Sequence, residues 1–309
     1  MRKSSLVLAS ALLSVAFVVI VIGNVVIVAQ NAITGEWTAD TRSEKQEKDG
    51  KIQLSFERNK GANHHNQFGS SFAYEDLQGL TREQAQNGKV SFRLVREAGT
   101  IECEGTFVNG KGSGTFRFTP DSGYLGAMKS RGFDFEKAAG KGDEGVEDKQ
   151  LSAAMLNVTT ALADDLKSVG FGDLDVEDLF KAAIFKIDSK FMAEMKATGF
   201  PDLKMEDLVK ARIFKIDADY VKQVKDMGFA EKSDFEGLVK FRIFKITPEF
   251  LANLKAEGFT NLSSEEVVKF SIFKIDPEFI RKAKAEDPNV TVEDMVKMKI
   301  GVYRKKDTN

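Results

Sequence analysis

Lysine recurs at a fixed phase along the C-terminal half of this 309-residue chain, and it offers the most regular chemistry in the sequence. One series is Lys186, Lys215, Lys245 and Lys274, and a second is Lys181, Lys210, Lys240 and Lys269. Evenly spaced ammonium groups could hold an anionic polymer or an acidic partner protein. They could equally complement helix dipoles and keep an array soluble, and acids recur as often as lysines. The eight are the candidate interaction surface. Other reactive residue types are sparse. The adjacent pair His64–His65 would point to opposite faces of a strand, and no carboxylate or thiol stands at ligand spacing, so a loop is expected there. Cys103, the single cysteine, lies in the alternating stretch Thr100–Glu104 and reads as a buried, inert thiol. No residue is assigned to catalysis, a cofactor or a metal. A formal net charge of −2 gives no general attraction to nucleic acid.

The elements that must carry the lysines repeat. The phrase Ile-Phe-Lys-Ile begins at Ile184, Ile213, Ile243 and Ile272, at steps of 29, 30 and 29 residues. A Gly-Phe pair keeps step at Gly170, Gly199, Gly228 and Gly258, with an earlier copy at Gly132. Such in-phase marks denote a repeat of two helices. The first helix opens on a cap, then Pro, then acid, as in Thr247–Glu249 and Asp276–Glu278, and ends at the glycine. The second opens at Asp175, Asp234, Ser263 or Thr291 and runs into the phrase, which reads as stacking core and helix exit. Worn copies at Leu156–Thr159 and Ile300–Tyr303 mark the ends, predicting about five units over residues 119–303. Residues 134–149 read as a charged loop inserted in the first, and 304–309 as a polar tail.

Between residues 33 and 118 the period changes to two. Lys51–Arg58 and Val90–Arg96 alternate, and Asn109–Gly114 reads as a glycine-rich hairpin connection. Five or six strands are expected in a small antiparallel sheet, with Leu80–Gln86 as a short helical turn capped by Thr81. Gly35-Glu36-Trp37 resembles the opening of lipocalin-type barrels, which hold apolar ligands. About 85 residues are too few for eight long strands, and a buried Trp can serve as a plug.

Ahead of the sheet, Arg2 and Lys3 precede the apolar run Leu6–Ala29. Its 24 residues would reach about 36 Å as a helix, enough to span a bilayer. Residues 1–30 therefore read as a signal-anchor, with the N-terminus cytoplasmic and the bulk extracytoplasmic. Secretion after cleavage is the alternative. The expected fold class is α+β multidomain: a transmembrane helix, an antiparallel β domain and an α-helical repeat array.

The pattern T-P-E-F-x-x-x-L-K-x-x-G-F followed by L-V-K-F-R-I-F-K-I, with Phe92–Phe107 and Gly114–Pro120 ahead of it, resembles the extracytoplasmic C-terminal ends of membrane regulators of the BlaR/MecR type. The resemblance covers about residues 33–303 and implies a β segment followed by helical repeats outside the cytoplasm. The H-E-x-x-H motif of the peptidase part of that family is absent, so protease activity is not implied. The expectation is a non-catalytic, membrane-tethered interaction or sensor module whose partner is another protein. The alternatives are a β domain holding a small ligand or cell-wall component, and an unrecognised hydrolase.

Overall fold

A computed structural model describes residues 32–41, 50–59, 65–140, 145–200, 203–226, 228 and 235–303. It is α+β, with an antiparallel sheet followed by helices. The strands are β1 (Ile33–Asp40), β2 (Lys51–Asn59), β3 (His65–Ala73), β4 (Leu77–Gln78), β5 (Gly88–Arg96), β6 (Gly99–Val108) and β7 (Lys111–Pro120). They form one curled sheet in the order β3-β2-β1-β7-β6-β5-β4. The curl brings Trp37 of β1 against Phe92 of β5, two strands that are not neighbours, with ring centroids 5.2 Å apart.

Seven strands are described where five or six were expected. Sequence reading placed His64–His65 in a loop, yet His65 opens β3, while His64 lies outside the described residues. The hairpin connection is also shorter than Asn109–Gly114. Only Asn109 (φ 51°) and Gly110 (φ 75°) turn, the positive pair that a two-residue hairpin requires. Gly112 and Gly114 lie in β7 because a ring and a neighbouring strand need their space. A Cβ on Gly112 would sit 2.8 Å from the Trp37 ring, and one on Gly114 1.9 Å from the Glu104 carbonyl oxygen. Leu80–Gln86 makes the expected short helical turn: Ala85 returns its amide to the Thr81 carbonyl, and Thr81 and Gln84 exchange the reciprocal hydrogen bonds of a capping box.

The helices are α1 (Tyr124–Ser130), α2 (Phe135–Ala139), α3 (Val146–Leu156), α4 (Thr160–Ser168), α5 (Val176–Phe185), α6 (Ser189–Ala197), α7 (Met205–Phe214), α8 (Ala218–Asp226), α9 (Phe235–Ile243), α10 (Pro248–Ala256), α11 (Ser264–Ile272), α12 (Pro277–Glu286) and α13 (Val292–Lys299). They pair as first and second helices of successive repeats, α4 with α5 through α12 with α13, preceded by α1 with α3. Among the described residues that is six pairs rather than about five. The segment 134–149 is not simply a loop. It holds α2 and the first turn of α3, whose Asp148, Lys149 and Gln150 are buried.

Each corner of the array is built by the repeated phrase. Its lysine takes left-handed φ at Lys186 (56°), Lys215 (54°), Lys245 (54°) and Lys274 (49°), and Asn157 (54°) does the same one period earlier. The next residue then returns its amide to the carbonyl five residues back, as Ile187 does to Ala182 and Ile246 to Phe241. This is the 6→1 bond of a Schellman exit. That second isoleucine is buried, at 1% exposure for Ile187 and Ile216. The following side chain caps the next first helix: Thr159, Asp188, Asp217, Thr247 and Asp276 each accept the amide three residues on. Exit, core contact and cap thus occupy three consecutive residues. Asp175, Ser263 and Thr291 cap second helices as expected, while Asp234 lies outside the described residues.

Sheet and array share one continuous apolar core. At their junction Gln150 of α3 donates to the carbonyls of Ala98 (2.9 Å) and Asp121 (2.8 Å), and Glu97 accepts the amide of Thr160. Arg58 of β2 pairs with Asp148 of α3. No linker separates the two at residue 118. No helix among the described residues is long and apolar enough to cross a membrane, and the run Leu6–Ala29 lies outside them.

Candidate interaction surface

The second helices present one solvent-facing stripe each, set by helical spacing. In α5 it consists of Glu177, Lys181 and Ile184, at i, i+4 and i+7, which fall on one side of a helix. The same stripe is Glu206, Lys210 and Ile213 in α7, Glu236, Lys240 and Ile243 in α9, and Glu265, Lys269 and Ile272 in α11.

The eight lysines singled out from the sequence divide into two groups. Lys181, Lys210, Lys240 and Lys269 each reach a glutamate near the start of the next second helix: Glu206 (2.5 Å), Glu236, Glu265 (3.1 Å) and Glu293 (2.7 Å). Lys149 of α3, from one turn nearer its helix start, pairs with Glu177 (2.7 Å) in the same way. This ladder stitches repeat to repeat. Hydrogen bonds from these partners raise the pKa of Lys181, Lys210 and Lys269 and lower those of Glu206 and Glu293. These ammonium groups are largely neutralised within the chain.

Lys186, Lys215, Lys245 and Lys274 are different. They are exposed, and among the described residues none makes an ion pair. Their backbones are engaged instead. Arg212 donates to the Lys186 carbonyl (2.7 Å) and Arg242 to the Lys215 carbonyl (2.8 Å), each guanidinium stacking on an aromatic ring, Phe191 or Tyr220. The left-handed corner is therefore fixed while the ammonium stays in water.

The residues that sequence reading missed are the first isoleucines of the phrase. The phrase was expected to serve as stacking core and helix exit, with its isoleucines in the core. Ile184, Ile213, Ile243 and Ile272 are instead about half exposed, between 49% and 53%. Only the second isoleucine of each phrase is core. The signal was present in the sequence, because the first isoleucine shares the i, i+4, i+7 line with a glutamate and a lysine.

The sheet offers less. Its apolar face is filled by Trp37, which packs against Phe92 and Phe107 and donates from Nε1 to the Glu104 carbonyl. The crevice between that face and α3 measures about 70 Å³. The polar face holds an open trough of about 1030 Å³ crossed by two registered rows, Glu57–Glu36–Thr115–Glu104–Ser91 and Thr34–Arg117–Glu102–Arg93–Gln78. Among the described residues no three His, Cys, Asp or Glu side chains converge closely enough to hold a metal ion. Cys103 is buried, and desolvation pushes its thiol pKa well above the ordinary range. Comparison with known proteins returned no match to a family model, a curated protein or a solved structure.

Proposed function

We propose that this chain is a non-catalytic interaction or sensor module. It is held in a membrane by residues 6–29, carries its bulk outside the cytoplasm, and binds another protein through the surface of its helical repeats. The resemblance of residues 33–303 to the outer part of membrane regulators supports that placement. One observation carries the binding role. The same half-exposed isoleucine recurs at one helical position in four consecutive repeats. Single exposed apolar residues are ordinary on soluble proteins, but one repeated at the same position of successive packed helices points to an interaction site.

The test is site-specific photo-crosslinking in intact cells. A benzophenone side chain is placed at Ile213, on the row, or at Lys190, an exposed position on a first helix. A discrete adduct of defined mass from Ile213 and none from Lys190 is expected. Equal labelling from both positions, or none from either, removes the isoleucine row as the binding surface.

A further inference from the structure

We infer that the occupant of the isoleucine row is an extended acidic segment of a partner protein, with an apolar residue at every third position. This rests on the reading of the array as an interaction surface and adds the chemistry and pitch of what it binds.

The pitch comes from the stacking. Packed helices lie about 8–10 Å apart, so successive isoleucines are offset by roughly that distance. A polyproline II segment has three residues per turn and rises about 3.1 Å per residue, so every third side chain returns to one face after about 9 Å. A β-strand returns to one face every two residues, about 6.7 Å, and falls out of step within two rungs. Four rungs from Ile184 to Ile272 would take a segment of about ten residues.

The charge comes from the split between the lysines. The glutamate–lysine ladder beside the isoleucines is internally balanced. What remains is one exposed ammonium per rung that makes no ion pair among the described residues, at Lys186, Lys215, Lys245 and Lys274, two residues beyond each isoleucine. An acidic segment meets complementary charge along the row and a basic one is repelled.

The molecule also shows how this stripe accepts a cover. Counting back from the left-handed Asn157, the stripe of α3 is Asp148, Ser152 and Met155, standing where α5 has Glu177, Lys181 and Ile184. On α3 the stripe is closed. Met155 is 4% exposed beside Phe56, Phe68 and Phe116 of the sheet, and Arg58 supplies the charge opposite Asp148. Apolar side chains cover this position once already, and the rungs from Ile184 to Ile272 are bare.

The test uses the full chain in phosphatidylcholine nanodiscs and fluorescein-labelled peptides read by anisotropy. The probe is (Leu-Pro-Glu)5, in which proline holds the polyproline conformation. The controls are (Leu-Pro-Lys)5 for charge and (Leu-Glu)7 for pitch. The probe is expected to bind at least tenfold more tightly than either control, and less tightly as salt rises. Replacing Lys186, Lys215, Lys245 and Lys274 together by Asn, the residue that adopts the same conformation at Asn157, is expected to weaken binding at least tenfold. Ile184, Ile213, Ile243 and Ile272→Ser should do the same, with helical circular dichroism and Trp37 emission unchanged in both variants. Equal binding of either control, or of the asparagine variant, overturns the inference. Flotation with phosphatidylglycerol vesicles that needs the same lysines, with no peptide binding, also overturns it and gives the row to a lipid surface. If Ile213 still crosslinks a protein in cells while the peptide fails, the interaction role stands and the acidic, three-residue chemistry falls.

Discussion

Gln150 is 2% exposed and stands at the join between sheet and array, so replacing it tests whether the two fold as one. Its amide nitrogen is the hydrogen-bond donor to Ala98 and Asp121. Ala98 keeps a second donor in the backbone N–H of Asp121, but among the described residues the Asp121 carbonyl accepts from Gln150 alone. In Gln150→Leu, two hydrogen bonds worth about 1 kcal/mol each are lost, and one stranded carbonyl costs a further ~1–3 kcal/mol. The added apolar burial returns about 1–2 kcal/mol, leaving a net loss of about 2 kcal/mol. Urea slopes of about 1–3 kcal/mol per molar then give a midpoint lower by roughly 1 M. The assay is equilibrium unfolding followed through the emission of Trp37, the only tryptophan, which reports on the sheet. Gln150→Glu, which sets a carboxylate against two carbonyl oxygens, should fall further still. If the leucine variant lowers helical ellipticity while the Trp37 transition stays in place, sheet and array are independent units and the shared core is not cooperative.

Three further outcomes follow from local geometry. Gly114→Ala would put its Cβ 1.9 Å from the Glu104 carbonyl oxygen, so the sheet should not form, read as a red shift of Trp37 emission; Gly126→Ala, on α1 with nothing within 4 Å, should instead stabilise by about 0.5–1 kcal/mol in thermal unfolding. Cys103 should resist alkylation in the folded chain and react only in denaturant, as read by mass spectrometry, because burial raises its pKa. The Lys181–Glu206 bridge is largely exposed, so Lys181→Met should cost well under 1 kcal/mol and nothing in high salt. Since Glu206 has a lowered folded pKa, its share of stability is complete above the ordinary carboxylate range and is lost as pH falls through the lowered value; a pH titration of the melting temperature in wild type and variant checks that sign.

The array was legible because its local chemistry repeats. Caps such as Asp188 and Thr247, the positive-φ glycines at Gly199 and Gly258, and the spacing of the phrase all read directly from residue type. What the sequence reading lost were features decided across elements. The strand from His65 to Ala73 carries glycine and serine, and its place is set by pairing with β2. Gly112 and Gly114 look like turn residues until Trp37 and Glu104 are placed against them. A lysine at left-handed φ goes against residue preference, and a Schellman exit tied to the next repeat by Arg212 or Arg242 holds it there. On the candidate surface, spacing identified all eight lysines. Only the partners across the repeat boundary separate those that bind the neighbouring helix from those that face water.

That separation also explains why the sheet sits where it does. A solenoid needs its terminal stripe covered or made polar, since the end repeat lacks a neighbour. At the C-terminal end the phrase is abandoned: Gly301 (φ 78°) takes the left-handed position, Lys299 stands two residues before it with its ammonium 4.4 Å from the centre of the Phe279 ring, and Ile300 stays 54% exposed. At the N-terminal end the substitutions run the other way. Ser152 replaces the bridging lysine, Met155 replaces the exposed isoleucine, and Asp148 keeps the acid but takes its cation from Arg58 of β2. The curled sheet is therefore the end cap of the array, and α3 belongs to both. Its cover ends at the first rung, and the bare row begins at Ile184, on the next second helix.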